Sequence, residues 1–165
     1  MWWRWLIALV SLFGCVACGS VISSRVRELV DPELSYAQIA ARPEAHVGQV
    51  VLVAGTIVEA VNTLEGTRLV LLQYPTNSRG RPQTDEPSGG RFLVLTSEYL
   101  ETAIYRSGRA LTVAGEVRGQ RELPIGEIVY HYPLLAPREM YLWPEGGGSS
   151  TLFHFGFGFG FSKSL

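Results

Sequence analysis

Cysteine is almost missing from this chain: of 165 residues only Cys15 and Cys18 are cysteines, and both lie near the N-terminus. A bridge between them could not staple the body of a fold, and two thiols with no neighbouring histidine make no zinc site. An excess of charge of either sign is missing too. Fourteen Lys and Arg against fifteen Asp and Glu leave a net charge of −1, so the basic footprint of a nucleic-acid binder is absent. Histidine occurs at His46, His131 and His154, with no pair at metal-ligand spacing. The chain contains no nucleophile elbow, no phosphate-cradling glycine loop and no H-E-x-x-H. Its one adjacent acidic pair, Asp85-Glu86, falls in a proline-rich stretch. An exposed loop does not supply the desolvated cleft that splits two carboxyl pKa values for acid–base work. These gaps argue against an enzyme, a metal or organic cofactor and a nucleic-acid partner.

What the chain has is apolar material. Hydrophobic residues make up 47% and charged residues 18%, enough for the core of one domain with terminal extensions. The aromatics are unevenly placed: Trp2, Trp3 and Trp5 crowd the first five positions, and five of seven Phe lie between 153 and 161. The ends therefore do something different from the middle.

At the N-terminus Arg4 is followed by an uncharged run from Trp5 to Phe13 and then by Gly14-Cys15-Val16-Ala17-Cys18-Gly19-Ser20. A cationic start, a short apolar stretch and a small-residue processing zone form the layout of a bacterial secretory signal. A cysteine after a small residue at its end has the form of a lipobox, at which a diacylglyceryl group and an N-acyl chain are added. Two or more acyl chains, at about 0.8 kcal/mol per buried CH₂, hold a protein stably in a leaflet. Leu12-Phe13-Gly14-Cys15 has the favoured Leu and Gly with a bulky Phe between; Cys15-Val16-Ala17-Cys18 has favoured Val and Ala with Cys in place of Leu. Neither cysteine precedes Asp, the residue that retains such proteins in the inner membrane, so outer-membrane sorting is expected. The competing reading is an uncleaved span: the uncharged run from Trp5 to Ile22 is at the lower length limit for one, and Gly, Ser and Cys in its second half weaken it.

Residues 18–34 read as a linker with mixed charge. From Ser35 the pattern turns helical, with capping-box spacing in Ser35-Tyr36-Ala37-Gln38 and a stop at Pro43 and Gly48. Strands are expected over 50–58, 67–74 and 91–96, separated in the last case by a long polar segment from Pro75 to Gly90. Ser97 to Tyr105 reads as a short helix with Ser97 as N-cap. Two further strands are expected over 110–119 and about 125–132, with Met140 to Trp143 as a final one. Gly48 to Val58 and Gly108 to Arg118 share a strand, Val-Ala-Gly, and a continuing strand. A glycine inside a strand marks a bulge or bend, which a small closed barrel needs in order to curl. The reading is an all-β fold with short helices: a five-stranded OB-like barrel in the order β-β-β-α-β, preceded by a lipoprotein signal segment. A meander sandwich is the alternative. Residues 145–165 form a Gly/Phe-rich low-complexity tail, read as disordered in the free protein.

Five arginines stand out: Arg79 and Arg81 in the long loop, Arg91 opening a strand, and Arg106 and Arg109 after the expected helix. Gathered at one barrel rim, Arg79, Arg81, Arg91 and Arg109 could hold phosphate or carboxylate groups of lipopolysaccharide, a glycan or an envelope protein. The competing expectation, placed ahead of it, is that Arg91 or Arg109 pairs with Glu116, Glu127 or backbone carbonyls. An OB barrel that binds oligonucleotides does so on its strand 2–3 face; that face is expected to offer only Tyr74 and Phe92, with no basic groove.

The segment from Cys18 to Trp143 resembles the Slp family of starvation-inducible outer-membrane lipoproteins. The resemblance rests on Cys18-Gly19-Ser20-Val21-Ile22, Pro43 to Gly48 leading into Val53-Ala54-Gly55, Gln73-Tyr74-Pro75 and Arg79 to Pro82. It continues through Ser88 to Leu93, Tyr105 to Arg109, Thr112 to Val117, Ile125 to Glu127, Tyr130 to Pro133 and Leu142-Trp143. Thr76 and the proline-free Leu100-Glu101-Thr102 depart from the family pattern. The resemblance implies that Cys18 is the lipidated residue, with Cys15 the alternative. It also implies a signal peptide over 1–17, a barrel domain over 35–144 and the periplasmic face of the outer membrane. It implies no catalytic residue; it implies an address and an association with stress.

Overall fold

The computed structural model describes residues 20–145; Cys15, Cys18, His154 and the Gly/Phe-rich tail lie outside the described residues. Helix α1 (Ser24–Arg27), helix α2 (Tyr36–Ala41) and a 3-10 turn (Pro43–His46) precede five strands: β1 (Val50–Thr63), β2 (Gly66–Tyr74), β3 (Gly90–Thr96), β4 (Ala110–Ile125) and β5 (Ile128–Leu142). The strands close into a barrel in the order β1-β2-β3-β5-β4, with β4 returning to β1. All pairs are antiparallel except β3 with β5, which meet in parallel at Leu93–Leu134 and Val94–Leu135.

Alternation along the strands fills the interior. Val51, Val53, Ile57, Leu69, Leu71, Phe92, Val94, Leu111 and Val113 face one another there as one buried cluster, each such side chain stabilising the fold by about 1.5–3 kcal/mol on burial. The two Val-Ala-Gly copies are direct neighbours: Val53 pairs with Val113 across β1 and β4. Gly55 allows β2 to approach, since a Cβ there would stand 2.3 Å from the Leu72 carbonyl oxygen. Gly115 sits at a register shift between β4 and β5. Gly115 thus marks a bulge of the kind small barrels require, whereas the irregularity in β1 falls past Gly55, between Ile57 and Glu59.

One mouth is closed by α2. Ser35 and Gln38 form the capping box, and the buried Tyr36 and Ile39 face the core. The other mouth is closed without a helix. Residues 97–105 form turns rather than the expected short helix. Competing hydrogen bonds from β2 explain the difference: the Thr67 amide donates to the Glu98 carbonyl at 3.1 Å, and the Leu100 amide donates to the Thr67 hydroxyl at 2.7 Å. The Glu98 carbonyl that a first helical turn would use is thereby taken, and only the Glu101–Tyr105 turn survives. Leu100 and Tyr105 pack on the core from this side.

The expected strands at 110–119, 125–132 and 140–143 are two long strands joined at Gly126-Glu127. Gly119, at φ +92°, sits in a bulge between Val117 and Gln120 and does not end β4. The stretch read as a linker is fastened to the barrel from Ser20 onward. Ile22 and Leu34 are buried, Val30 bridges Val50, and Ser23 donates through both its amide and its hydroxyl to the Glu139 carboxylate. Of the apolar residues in this connector, Ile22 and Leu34 are the buried ones, and burying them helps to tie it down. Among the described residues no helix is long and apolar enough to cross a membrane.

Candidate functional site

The outer face of β1, β2 and β3 is where a barrel of this topology offers a groove, and here it is filled by the chain itself. Beyond the barrel wall, β4 and β5 continue as a two-stranded ribbon from Gln120–Pro133 to Ile125–Ile128. The ribbon lays Leu123, Ile125, Tyr130 and Tyr132 over Val58, Val70 and Leu93 as a second apolar cluster. Arg121 of the ribbon reaches Glu65 in the β1–β2 turn at 3.5 Å. The rings of Tyr130 and Tyr132 meet tilted by 60°, with centroids 4.7 Å apart. Phe92, expected on this face, points into the core instead and is fully buried, because a shift of one position along a strand reverses the side.

Two tyrosines clamp the start of β3. The Tyr130 hydroxyl accepts from the Arg91 amide at 3.1 Å, and the Tyr36 hydroxyl donates to the Arg91 carbonyl at 3.0 Å. Burial pushes the Tyr36 phenol well above its ordinary value, with Tyr130 adding to the effect, so it stays a neutral donor. The Arg91 side chain makes no hydrogen bond or ion pair among the described residues.

The other arginines do not gather with Arg91. Arg109 donates to the carbonyls of Ile104 at 3.1 Å and Trp143 at 2.9 Å, and its Nε stands 3.7 Å from Glu145. Arg106 also reaches Glu145. Arg81 lies over the Trp143 ring, 5.5 Å from its centroid, a cation–π contact. Arg81, Arg106 and Arg109 thus fasten the segment after β5, the structural role that the sequence offered as the competing expectation for Arg109. Glu116 takes Arg118 and Arg138, not Arg91 or Arg109. Arg79 is exposed in the β2–β3 loop. A single arginine-lined rim is therefore not formed.

That loop folds back over the outer face of β4. The buried Thr112 hydroxyl donates to the Gly80 carbonyl at 2.6 Å and accepts from the Trp143 indole at 2.9 Å. Val21 reaches the same spot: a Cβ on Gly80 would lie 3.7 Å from a Val21 methyl. No local pattern signals this junction, because it joins four segments distant along the chain.

Little else in the described residues could do chemistry. A cleft lined by Thr96, Tyr105 and Met140 has a volume of about 40 Å³, far below the roughly 300–1,000 Å³ of a small-molecule site. His46 bonds Gln49 at 2.7 Å and His131 pairs with Glu122 at 3.3 Å. Among the described residues no three His, Cys, Asp or Glu side chains are grouped to hold a metal.

A closed five-stranded barrel in the order 1-2-3-5-4, with its own ribbon over the strand 2–3 face, defines a compact OB-type module. The profile of the outer membrane lipoprotein Slp family matches residues 13–156, and the chain belongs to that family. It is an outer-membrane lipoprotein. No curated protein matches the chain. Among solved structures, a putative aspartyl-tRNA synthetase from Leishmania major Friedlin is 14% identical over 84% of this chain and 26% of its own, with a TM-score of 0.40. This chain thus spans about a quarter of that one. The mitochondrial single-stranded DNA-binding protein from S. cerevisiae is 13% identical over 59% of this chain and 96% of its own, with a TM-score of 0.37. A small single-stranded DNA-binding protein from Streptomyces coelicolor is 13% identical over 56% and 92%, with a TM-score of 0.34.

Proposed function

We propose that the chain is a non-catalytic, lipid-anchored protein at the periplasmic face of the outer membrane, acting by binding or scaffolding during envelope stress. Acyl chains on Cys18, or on Cys15 as the alternative, supply the anchor; no further cofactor enters the reading. The observation that carries it is the family match across residues 13–156, which takes in both the cysteine zone and the barrel. Self-coverage of the strand 2–3 face by Tyr130 and Tyr132 supports a role without nucleic acid. In-cell crosslinking followed by recovery of the lipoprotein tests the scaffolding role. It is expected to return envelope proteins or glycan in amounts that rise under stress; recovery of the protein alone under every stress applied contradicts it.

A second reading, recognition of lipopolysaccharide or glycan phosphate and carboxylate groups, is favoured by one observation: the Arg91 guanidinium has no partner among the described residues. Arg91→Ala is then expected to weaken binding of lipopolysaccharide or glycan fragments with thermal stability unchanged. Arg109→Ala is expected to lower stability by about 1–3 kcal/mol, because it leaves two carbonyls unsatisfied. Unchanged binding by Arg91→Ala removes this reading.

A further inference from the structure

We propose that the Phe/Gly run from Phe153 to Phe161 is a second membrane contact, its rings seated in the interface of the leaflet that holds the lipid anchor. The proposal rests on that anchor at Cys18. It is carried by a juxtaposition: the chain enters and leaves the barrel domain at one spot.

The spot is the junction of Gly80, Thr112 and Trp143. A Cβ on Gly80 would lie 3.7 Å from a Val21 methyl and 3.8 Å from the Thr112 methyl. The Thr112 hydroxyl takes the Trp143 indole at 2.9 Å, and the Trp143 amide donates to the Ala110 carbonyl. Entry at Val21 and exit at Trp143 therefore share one neighbourhood. The exit is held as far as Glu145, which Arg106 and Arg109 both reach. The entry is held by buried Ile22 and by Ser23 on Glu139. From Cys18 to Val21 an extended chain covers at most about 11 Å, and from Cys15 about 22 Å. The polar headgroup layer on each side of a bilayer is itself about 5–8 Å thick. The anchor thus keeps this junction close to the leaflet, and the chain beyond Glu145 starts from there.

What starts there has the composition of an interfacial segment. Five Phe alternate with His154, Gly156, Gly158 and Gly160 over residues 153–161. Side chains of an extended chain alternate with a period of two, so all five rings fall on one side, and the glycines leave the backbone open to headgroups and water. A lone strand cannot cross hydrocarbon, where its amides and carbonyls would go unpaired. The run therefore lies along the interface with its rings toward the acyl chains. Residues 146–165 contain no Asp or Glu, and one Lys, Lys163, so no acidic side chain opposes approach to an anionic surface. The stretch from Gly146 to Leu152, rich in Gly and Ser, covers about 15 Å on average. Such a tether reaches the leaflet from the junction and holds the rings there at on the order of millimolar effective concentration. The barrel is the poorer host. Its exposed Ile128 and Val129 stand at the ribbon tip, at the other end of β4 from Thr112. Beside the exit it exposes Ile104, whose carbonyl shares Arg109 with that of Trp143, and one half-exposed isoleucine cannot cover five rings. Two attachments leaving one spot fix which side of the barrel faces the leaflet.

A tryptophan placed in the run tests this, because Trp2, Trp3 and Trp5 lie in the signal segment and the mature chain keeps Trp143 as its background. The full mature lipoprotein carrying Phe157→Trp is reconstituted into phosphatidylcholine vesicles containing acyl-chain spin-labelled lipid and floated. The emission of the added indole is read as the difference from the wild-type chain. Quenching of that difference by about twofold is expected, unchanged at about 0.5 M salt because the contact is apolar. Adding Phe153→Ser, Phe155→Ser, Phe159→Ser and Phe161→Ser is expected to abolish the quenching by lipid and to open the indole to aqueous acrylamide. The thermal midpoint of the barrel is expected to stay where it was. An indole quenched by acrylamide and not by lipid overturns the contact by placing the run in water. An indole shielded from both overturns it by placing the run against the barrel or a second copy, and lipid quenching that survives the four serines overturns insertion of the rings. Each of these outcomes leaves the anchor standing; failure of the wild-type chain to float overturns the anchor and the second contact together.

Discussion

The outer face of β1–β3 and the outer face of β4 are both covered by chain that has left the barrel, but by different physics. Over β1–β3 the covering is the β4–β5 ribbon, and its contacts are apolar: Tyr130, Tyr132 and Leu123 on Val58, Val70 and Leu93. Over β4 the covering is the β2–β3 loop with residues 20–23, in which Ile22 is buried and the hydrogen bonds centre on Thr112. Burial of one large side chain is worth about 1.5–3 kcal/mol, whereas one hydrogen bond nets about 0.5–1.5 kcal/mol. The first covering removes a face from use. The second leaves arginines in solvent beside the point where the anchor joins the fold.

The largest expected effect breaks the first covering. Tyr132→Ala, at a buried position between ribbon and barrel, is expected to cost about 3–5 kcal/mol in urea unfolding. A loss below about 1 kcal/mol would mean that the ribbon is not packed. Next comes the second covering. Thr112→Val removes the acceptor of the Trp143 indole and the donor to Gly80, with an expected loss of about 1–3 kcal/mol and a shifted Trp143 emission.

A smaller effect sharpens the comparison through pH. Burial, then Tyr130, raises the Tyr36 phenol above its ordinary value of 10.0. The unfolded chain therefore ionises first, so the stabilisation is whole below pH 10 and is lost as pH climbs toward the folded value. Tyr105 is shifted the same way, by burial and then by Glu98, with Arg109 opposing. Unfolding midpoints between pH 9 and 11 should fall more steeply for the wild-type chain than for Tyr36→Phe. Parallel slopes would contradict the assignment. The smallest effect is on stability at the exposed loop: Arg79→Glu is expected to change it by less than about 0.5 kcal/mol.

The barrel was legible in the sequence because its causes are local. Alternating apolar residues marked β1 to β3, the capping box marked α2, and the repeated Val-Ala-Gly marked the close approach at Gly55 and the bulge at Gly115. Long-range competition hid the rest. Ser97 to Tyr105 has helical spacing, but the Thr67 amide of β2 takes the Glu98 carbonyl that a helix would use. The expected strand ended at Gly119 and the next began near Ile125, yet β4 runs through Gly119 as a bulge and through Pro124 as a paired position. Of the arginines, the sequence supplied the inventory and the structure sorted it: Arg81, Arg106 and Arg109 hold the end of the barrel domain, Arg91 stands at the α2 mouth, and Arg79 lies by the chain's entry. Charge alone could not have made that division, because it depends on where Trp143 and Glu145 return.

Mass spectrometry of the protein extracted from outer membranes reads the N-terminal cysteines directly. A mature N-terminus at Cys18 carrying a diacylglyceryl group and an N-acyl chain is the expected result. An unacylated chain that retains residues 1–17 and is recovered free of the membrane would contradict it.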